Sequence, residues 1–137
     1  MKIMFCHDGS ENSQKALDQT LDLFEKVKPE VMLLTVVEFA HDASMQNEEI
    51  YEKWKAEKGK FLKDAARYVN EKGFEVDAIL ATGDARKMIL DAAEKKKPDM
   101  LIVAKRGGGL IDNMALGSVS AYLIRHAHCP VLVFHTR

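Results

Sequence analysis

The chain reads as an α/β protein: a single doubly wound domain in which a parallel sheet lies between two layers of helices. Three observations predict this. Apolar residues alternate between strand-like runs and helical spacing along all 137 residues. The run VMLLTVV at 31–37 is continuously apolar and rich in branched side chains, as strands covered on both faces are. Turn signals fall between the segments, with no linker, internal repeat or low-complexity stretch.

Each element has its own justification. Residues 2–6 (KIMFC) form a strand that His7-Asp8-Gly9 ends. Ala16, Leu17, Thr20, Leu21, Phe24 and Val27 then recur at helical spacing, with Ser10 or Asn12 as the cap and Pro29 just past the end. Residues 31–37 are the second strand and 38–45 a mixed loop. A long charged helix over about 46–72 carries one apolar stripe, Ile50, Trp54, Phe61, Leu62, Ala65 and Val69, and a favourable Glu49–Lys53 pair; Gly73 stops it. Residues 75–81 (EVDAILA) are the third strand, Thr82-Gly83-Asp84 a turn, and Asp84 the cap of a helix over 85–97 with Met88, Ile89, Ala92 and Ala93 inward. Lys95, Lys96 and Lys97 suit the negative end of that helix and read as a solvated face. Pro98 breaks it, 99–104 form the fourth strand, 118–128 the last helix and 130–135 (PVLVFH) the last strand.

Composition narrows the classes of function. The length fits one domain, 1–137, with a sizeable core. A formal net charge of -1 gives no global attraction to nucleic acid or to an anionic membrane. No apolar run approaches the roughly 20 residues that span a bilayer, and the apolar part of the first ten residues is too short for a signal peptide. A cytoplasmic protein is expected. Cys6 and Cys129 fit that compartment as buried reduced thiols.

Ligands of doubly wound sheets bind beyond the carboxyl ends of the strands, where the strand order reverses. That rule puts Asp8, Val36, Thr82-Gly83 and the 104–118 loop along one rim. Within LIVAKRGGGLIDNMALGSVS (101–120), a strand gives way to three glycines and then to Gly-Ser at the start of a helix. A helix N-terminus offers unpaired N–H groups and partial positive charge to an anion. Gly117 allows close approach, Ser118 and Ser120 add hydroxyls, and Lys105 and Arg106 add charge. A plain flexible loop and N-cap explain the same residues equally well. Asp8 suits ribose hydroxyls or an adenine amine; the alternative is a turn-former in Asp-Gly-Ser, with Gly9 as part of that turn. His126, His128 and Cys129 are poorly spaced for metal and complete no set of four ligands. There is no GxxxxGK[ST], no GxGxxG after the first strand, no receiver-type carboxylate at the end of the third, and no nucleophile to accompany His7.

The motifs HDGSENSQKAL (7–17), LLTVVE (33–38), TGDARKMILDAAEKKKPDMLIVAKRG (82–107) and LGSVSAYLIRHAHCPVLVF (116–134) resemble the universal stress protein family over nearly the whole chain, apart from 40–60. The resemblance implies a five-stranded sheet of order 3-2-1-4-5, like that of the adenine nucleotide alpha hydrolases. It implies binding of ATP or a related nucleotide, AMP or ADP, with or without Mg2+, in a regulatory or protective stress role. Nucleotide-binding members carry Gly-x2-Gly-x9-Gly-(Ser/Thr). Gly107 and Gly117-Ser118 satisfy its second half, whereas the first glycine is replaced by Ala104. If that backbone needs positive φ, alanine costs about 1 kcal/mol. By resemblance Asp8 and Val36 flank adenine and ribose, and Gly107, Gly117, Ser118 and Val119 hold phosphates, with Ser120 a further candidate. A homodimer through the last strand (Val131, Leu132, Val133) is expected, because exposed apolar edges are usually paired. A nucleotide-free interaction module and a slow ATPase, or autophosphorylation at Ser118, are the alternatives; no group to activate water is evident, so the chain is not expected to be an efficient enzyme.

Overall fold

The computed structural model describes residues 1–38, 48–105 and 117–135. Its elements run β1 (Lys2–Cys6), α1 (Glu11–Leu23), β2 (Glu30–Val37), α2 (Glu48–Glu71), β3 (Val76–Thr82), α3 (Ala85–Lys96), β4 (Met100–Ala104), α4 (Ser118–His126) and β5 (Val131–Phe134). All strand pairs are parallel and the order is β3-β2-β1-β4-β5, as expected. From β1 the chain steps one way to β2, and β4 later docks on the other side of β1. The carboxyl ends of β1, β2 and β4 therefore border the crevice where the order reverses.

The period of two along each strand divides the core into two layers. Ile3, Phe5, Val31, Leu33 and Ile102 face α1 and α2, where Leu17, Leu21, Leu62, Ala65 and Val69 cover them. Met4, Met32, Leu34, Leu101 and Val103 face the other way, against Ile89 of α3 and Leu123 of α4. Burial on both faces explains why β1, β2 and β4 are uninterrupted apolar runs. At the two sheet edges, β3 and β5 are less covered: all four side chains of β5 are half-buried.

Helix ends follow side-chain chemistry. Ser10 caps α1, its Oγ accepting from the Ser13 N–H at 3.1 Å. Asp84 caps α3, its Oδ1 accepting from the Arg86 N–H at 3.3 Å. The first helix is shorter than the spacing predicts. It stops at Leu23, and a turn closed by the Lys28 N–H on the Phe24 carbonyl (2.8 Å) carries the chain into buried Pro29, so Val27 stands 60% exposed instead of packing inward. The stripe of α2 is also broken. Only its second half packs on the sheet, while Ile50 and Trp54 are exposed, because α2 extends past the end of the core layer. Glu49 and Lys53, both exposed, form no ion pair, as long surface side chains often do not. The last helix ends at His126 rather than 128. Among the described residues no helix is long and apolar enough to cross a membrane.

Candidate functional site

The turn after β1 is held by hydrogen bonds on both ring nitrogens of His7. Gly9 adopts φ +87, a region open to glycine, and its N–H donates to His7 Nδ1 at 3.1 Å. The proton of His7 therefore sits on Nε2, which donates to Gln14 Oε1 at 3.2 Å. The ring is buried and packs edge-on against Phe61, with centroids 4.5 Å apart. Burial lowers its pKa below the ordinary histidine value, and the bond to Gln14 only partly offsets this. His7 is thus a neutral imidazole at the cavity wall, with both ring nitrogens in hydrogen bonds.

Asp8, next to it, is held as an anion. Burial opposes its charge, but hydrogen bonds from Ser10 and Ser13 outweigh burial and lower its pKa. Its Oδ1 accepts from the Ser10 N–H at 2.8 Å and from Ser13 Oγ at 2.7 Å. Both of these bonds meet the same oxygen, and a carboxylate has further lone pairs for hydroxyl or amine donors.

Beyond these strand ends lies a cavity of about 390 Å³, within the range of small-molecule sites. Cys6, His7 and Asp8 contribute from β1 and its exit, Leu34, Val36, Val37 and Glu38 from β2, and Val103 and Ala104 from β4. Ala85 and Ile89 of α3 and Gly117, Ser118, Val119 and Ser120 at the start of α4 complete that side. Gly117 is the N-cap of α4, at φ 82 and ψ 151, and supplies no side-chain cap. The first backbone bond of this helix runs from the Ala121 N–H to the Gly117 carbonyl (3.1 Å). The N–H groups of Ser118, Val119 and Ser120 have no acceptor within the helix, and these residues line the cavity.

The structure thus brings Asp8, Val36, Ala104, Gly117, Ser118, Val119 and Ser120 around one space. Ala104 is an ordinary strand residue: the described non-glycine residues with positive φ are Lys28 and Lys97 alone. Two expected contributors do not line the cavity. Gly9 shapes the turn, and Lys105 ties the loop start down, its N–H donating to the Phe134 carbonyl (2.8 Å) and its carbonyl accepting from Asn12 Nδ2 (3.3 Å). Thr82-Gly83 also lies off the cavity, where Thr82 receives the Tyr51 hydroxyl at 3.1 Å. Arg106 and Gly107 lie outside the described residues.

Sequence reasoning missed several contributors. Ser13 is a buried helix residue whose role is to hold Asp8; its place three residues after the Ser10 cap was the available signal. Lys58 and Trp54 come from α2, far along the chain, and no local pattern marks them. Glu38 follows the last residue of β2. Cys6 lines the cavity as a thiol, its pKa pushed up to about 12 by burial and by nearby Cys129; neither cysteine is in a disulfide. Among the described residues no three His, Cys, Asp or Glu side chains gather to hold a metal. His126 stacks near Tyr122 (4.3 Å) and His128 lies 4.0 Å from Glu94 on the surface.

Residues 1–135 match the model of the universal stress protein family. Universal stress protein YxiE of Bacillus subtilis is 32% identical over 143 residues, covering 96% of this chain and 97% of that protein. A universal stress protein of Methanocaldococcus jannaschii is 30% identical over 136 residues, covering 96% and 80%. Among solved structures, a family protein from Arabidopsis thaliana with AMP bound superposes with a TM-score of 0.77 at 23% identity, covering 100% of this chain and 92% of that one. A universal stress protein in complex with cAMP gives 0.74 at 20% identity, covering 100% and 98%.

Proposed function

The chain belongs to the universal stress protein family, and from that premise we propose that its cavity binds an adenine nucleotide, ATP or its products, as a regulatory ligand in a cytoplasmic stress response. One observation carries the reading: a single cavity joins an anionic, pre-oriented Asp8 to the uncapped start of α4. The two ends match the two ends of a nucleotide. Amides of Ser118, Val119 and Ser120, with the Ser118 hydroxyl, receive phosphate oxygens, and Gly117 lets phosphate come close to the backbone. Asp8 accepts from ribose hydroxyls, and Val36, Val37 and Ile89 supply apolar surface for the base. Relatives of this fold hold AMP and cAMP. Mg2+ would accompany a triphosphate.

The same reading includes a homodimer through β5, whose half-buried Val131, Leu132 and Val133 form a sheet edge. Nucleotide binding is tested on the protein as purified. Denatured protein should release adenine nucleotide, detected by absorbance and chromatography, and stripped protein should bind ATP calorimetrically. A protein that carries none and gives no heat of binding is instead a nucleotide-free interaction module. Incubation with labelled ATP tests transfer to Ser118.

A further inference from the structure

Trp54 is the chain's single tryptophan, and it is 54% exposed. It belongs to neither core layer, yet it lines the cavity. An indole buries a large flat apolar area when it finds a partner, and the core supplies none here. Its place is fixed nonetheless. Lys58, one turn further along the same face of α2, donates from Nζ to the Asp8 carbonyl at 2.7 Å and pins this part of the helix to the exit of β1.

The fold also says which end of the cavity the indole serves. Helix α2 packs on β2 and β3, whereas α4 packs on α3 and β5. Trp54, one turn from Lys58, therefore reaches the cavity from the α2 layer beside the exit of β1, whereas the start of α4 lines it from the opposite layer, with α3.

We infer that Trp54 is the platform on which the base of the bound nucleotide stacks, and that Lys58 is the positioning residue that holds this platform over the cavity. The inference rests on the adenine-nucleotide reading above and assigns the base end of that site. Stacking uses the π-face common to all bases, so Trp54 adds affinity for a base without choosing among them.

The experiment compares wild type, Trp54→Ala and Trp54→Phe by calorimetry with ATP and with inorganic tripolyphosphate, and follows Trp54 emission excited beyond the adenine absorption band. Loss of one base–aromatic stack weakens ATP binding by about tenfold or more. The expected result is that weakening in Trp54→Ala, a smaller one in Trp54→Phe, unchanged tripolyphosphate binding, and ATP-dependent change in wild-type emission with the calorimetric midpoint. Equal ATP affinity in all three proteins, or silent emission while heat is released, overturns the inference and leaves the nucleotide reading standing. No ATP heat with wild type overturns both. For Lys58, Lys58→Met should shift the emission of the free protein and Lys58→Arg should restore it; identical spectra in all three remove its positioning role.

Discussion

Replacing Ala104 with glycine restores the family's full glycine pattern, and the structure predicts that this harms the protein. Ala104 closes β4 in register with Phe134 and packs half-buried beside the α1–α2 layer. Its backbone is not in the left-handed region, so glycine relieves no strain there. Glycine in a strand costs about 0.5–1 kcal/mol through the entropy of the unfolded chain. Half of a buried methyl group adds about 0.4 kcal/mol. The sum is about 1–1.4 kcal/mol. For 137 residues, an unfolding entropy of about 2.1 cal/mol/K per residue converts this to a fall in Tm of about 3–5 °C. Removing one methyl from the cavity wall should change ATP affinity less than tenfold, because the donors at Ser118–Ser120 do not depend on it. Scanning calorimetry and ATP titration of Ala104→Gly against wild type measure both quantities. An unchanged or higher Tm together with an affinity gain above tenfold would refute the reasoning and mean that the alanine obstructs a phosphate site.

Other substitutions probe separate parts of the account. Ser13→Ala removes the 2.7 Å bond from buried Ser13 to the exposed Asp8 carboxylate and should cost about 1 kcal/mol of stability, read by urea unfolding, with weaker nucleotide binding; wild-type stability would show that Ser13 does not hold the carboxylate. Because burial lowers the pKa of His7, the unfolded chain takes up a proton on it that the folded chain refuses. Stability should therefore fall as pH drops below about 6.5, with no contribution from His7 above it. Unfolding of wild type and His7→Gln across that range should show a shallower slope for the variant, and parallel slopes would remove His7 as the cause. Leu132→Lys places a charge on the half-buried edge strand and should give a monomer by light scattering; an unchanged dimer mass would exclude β5 as the interface.

The fold was legible because the sheet is buried on both faces. Runs such as 31–37 and 100–104 leave strands as the economical reading, and Ser10, Asp84 and Gly73 mark helix boundaries by chemistry that acts within a few residues. The cavity lining was legible at strand ends and a helix start, as with Asp8 and Gly117–Ser120. It was not legible where it depends on long-range packing. Trp54 reads as core because its spacing continues the apolar stripe of α2, and only the length of the core layer beneath that helix shows that it overhangs the cavity. Lys58 reads as a surface charge until its ammonium is seen on the Asp8 carbonyl, fifty residues away. Val27 misleads for a local reason, since the turn into Pro29 unwinds the helix before the apolar spacing ends.

Residue-resolved amide spectra, recorded while ATP or adenosine is added to isotope-labelled protein, test most directly whether the start of α4 holds the phosphates. ATP should move the Ser118, Val119 and Ser120 amide signals strongly, and adenosine should leave them nearly in place while still shifting residues near Val36. Amides at 118–120 that stay unmoved under saturating ATP would contradict the assignment of that helix start as the phosphate site.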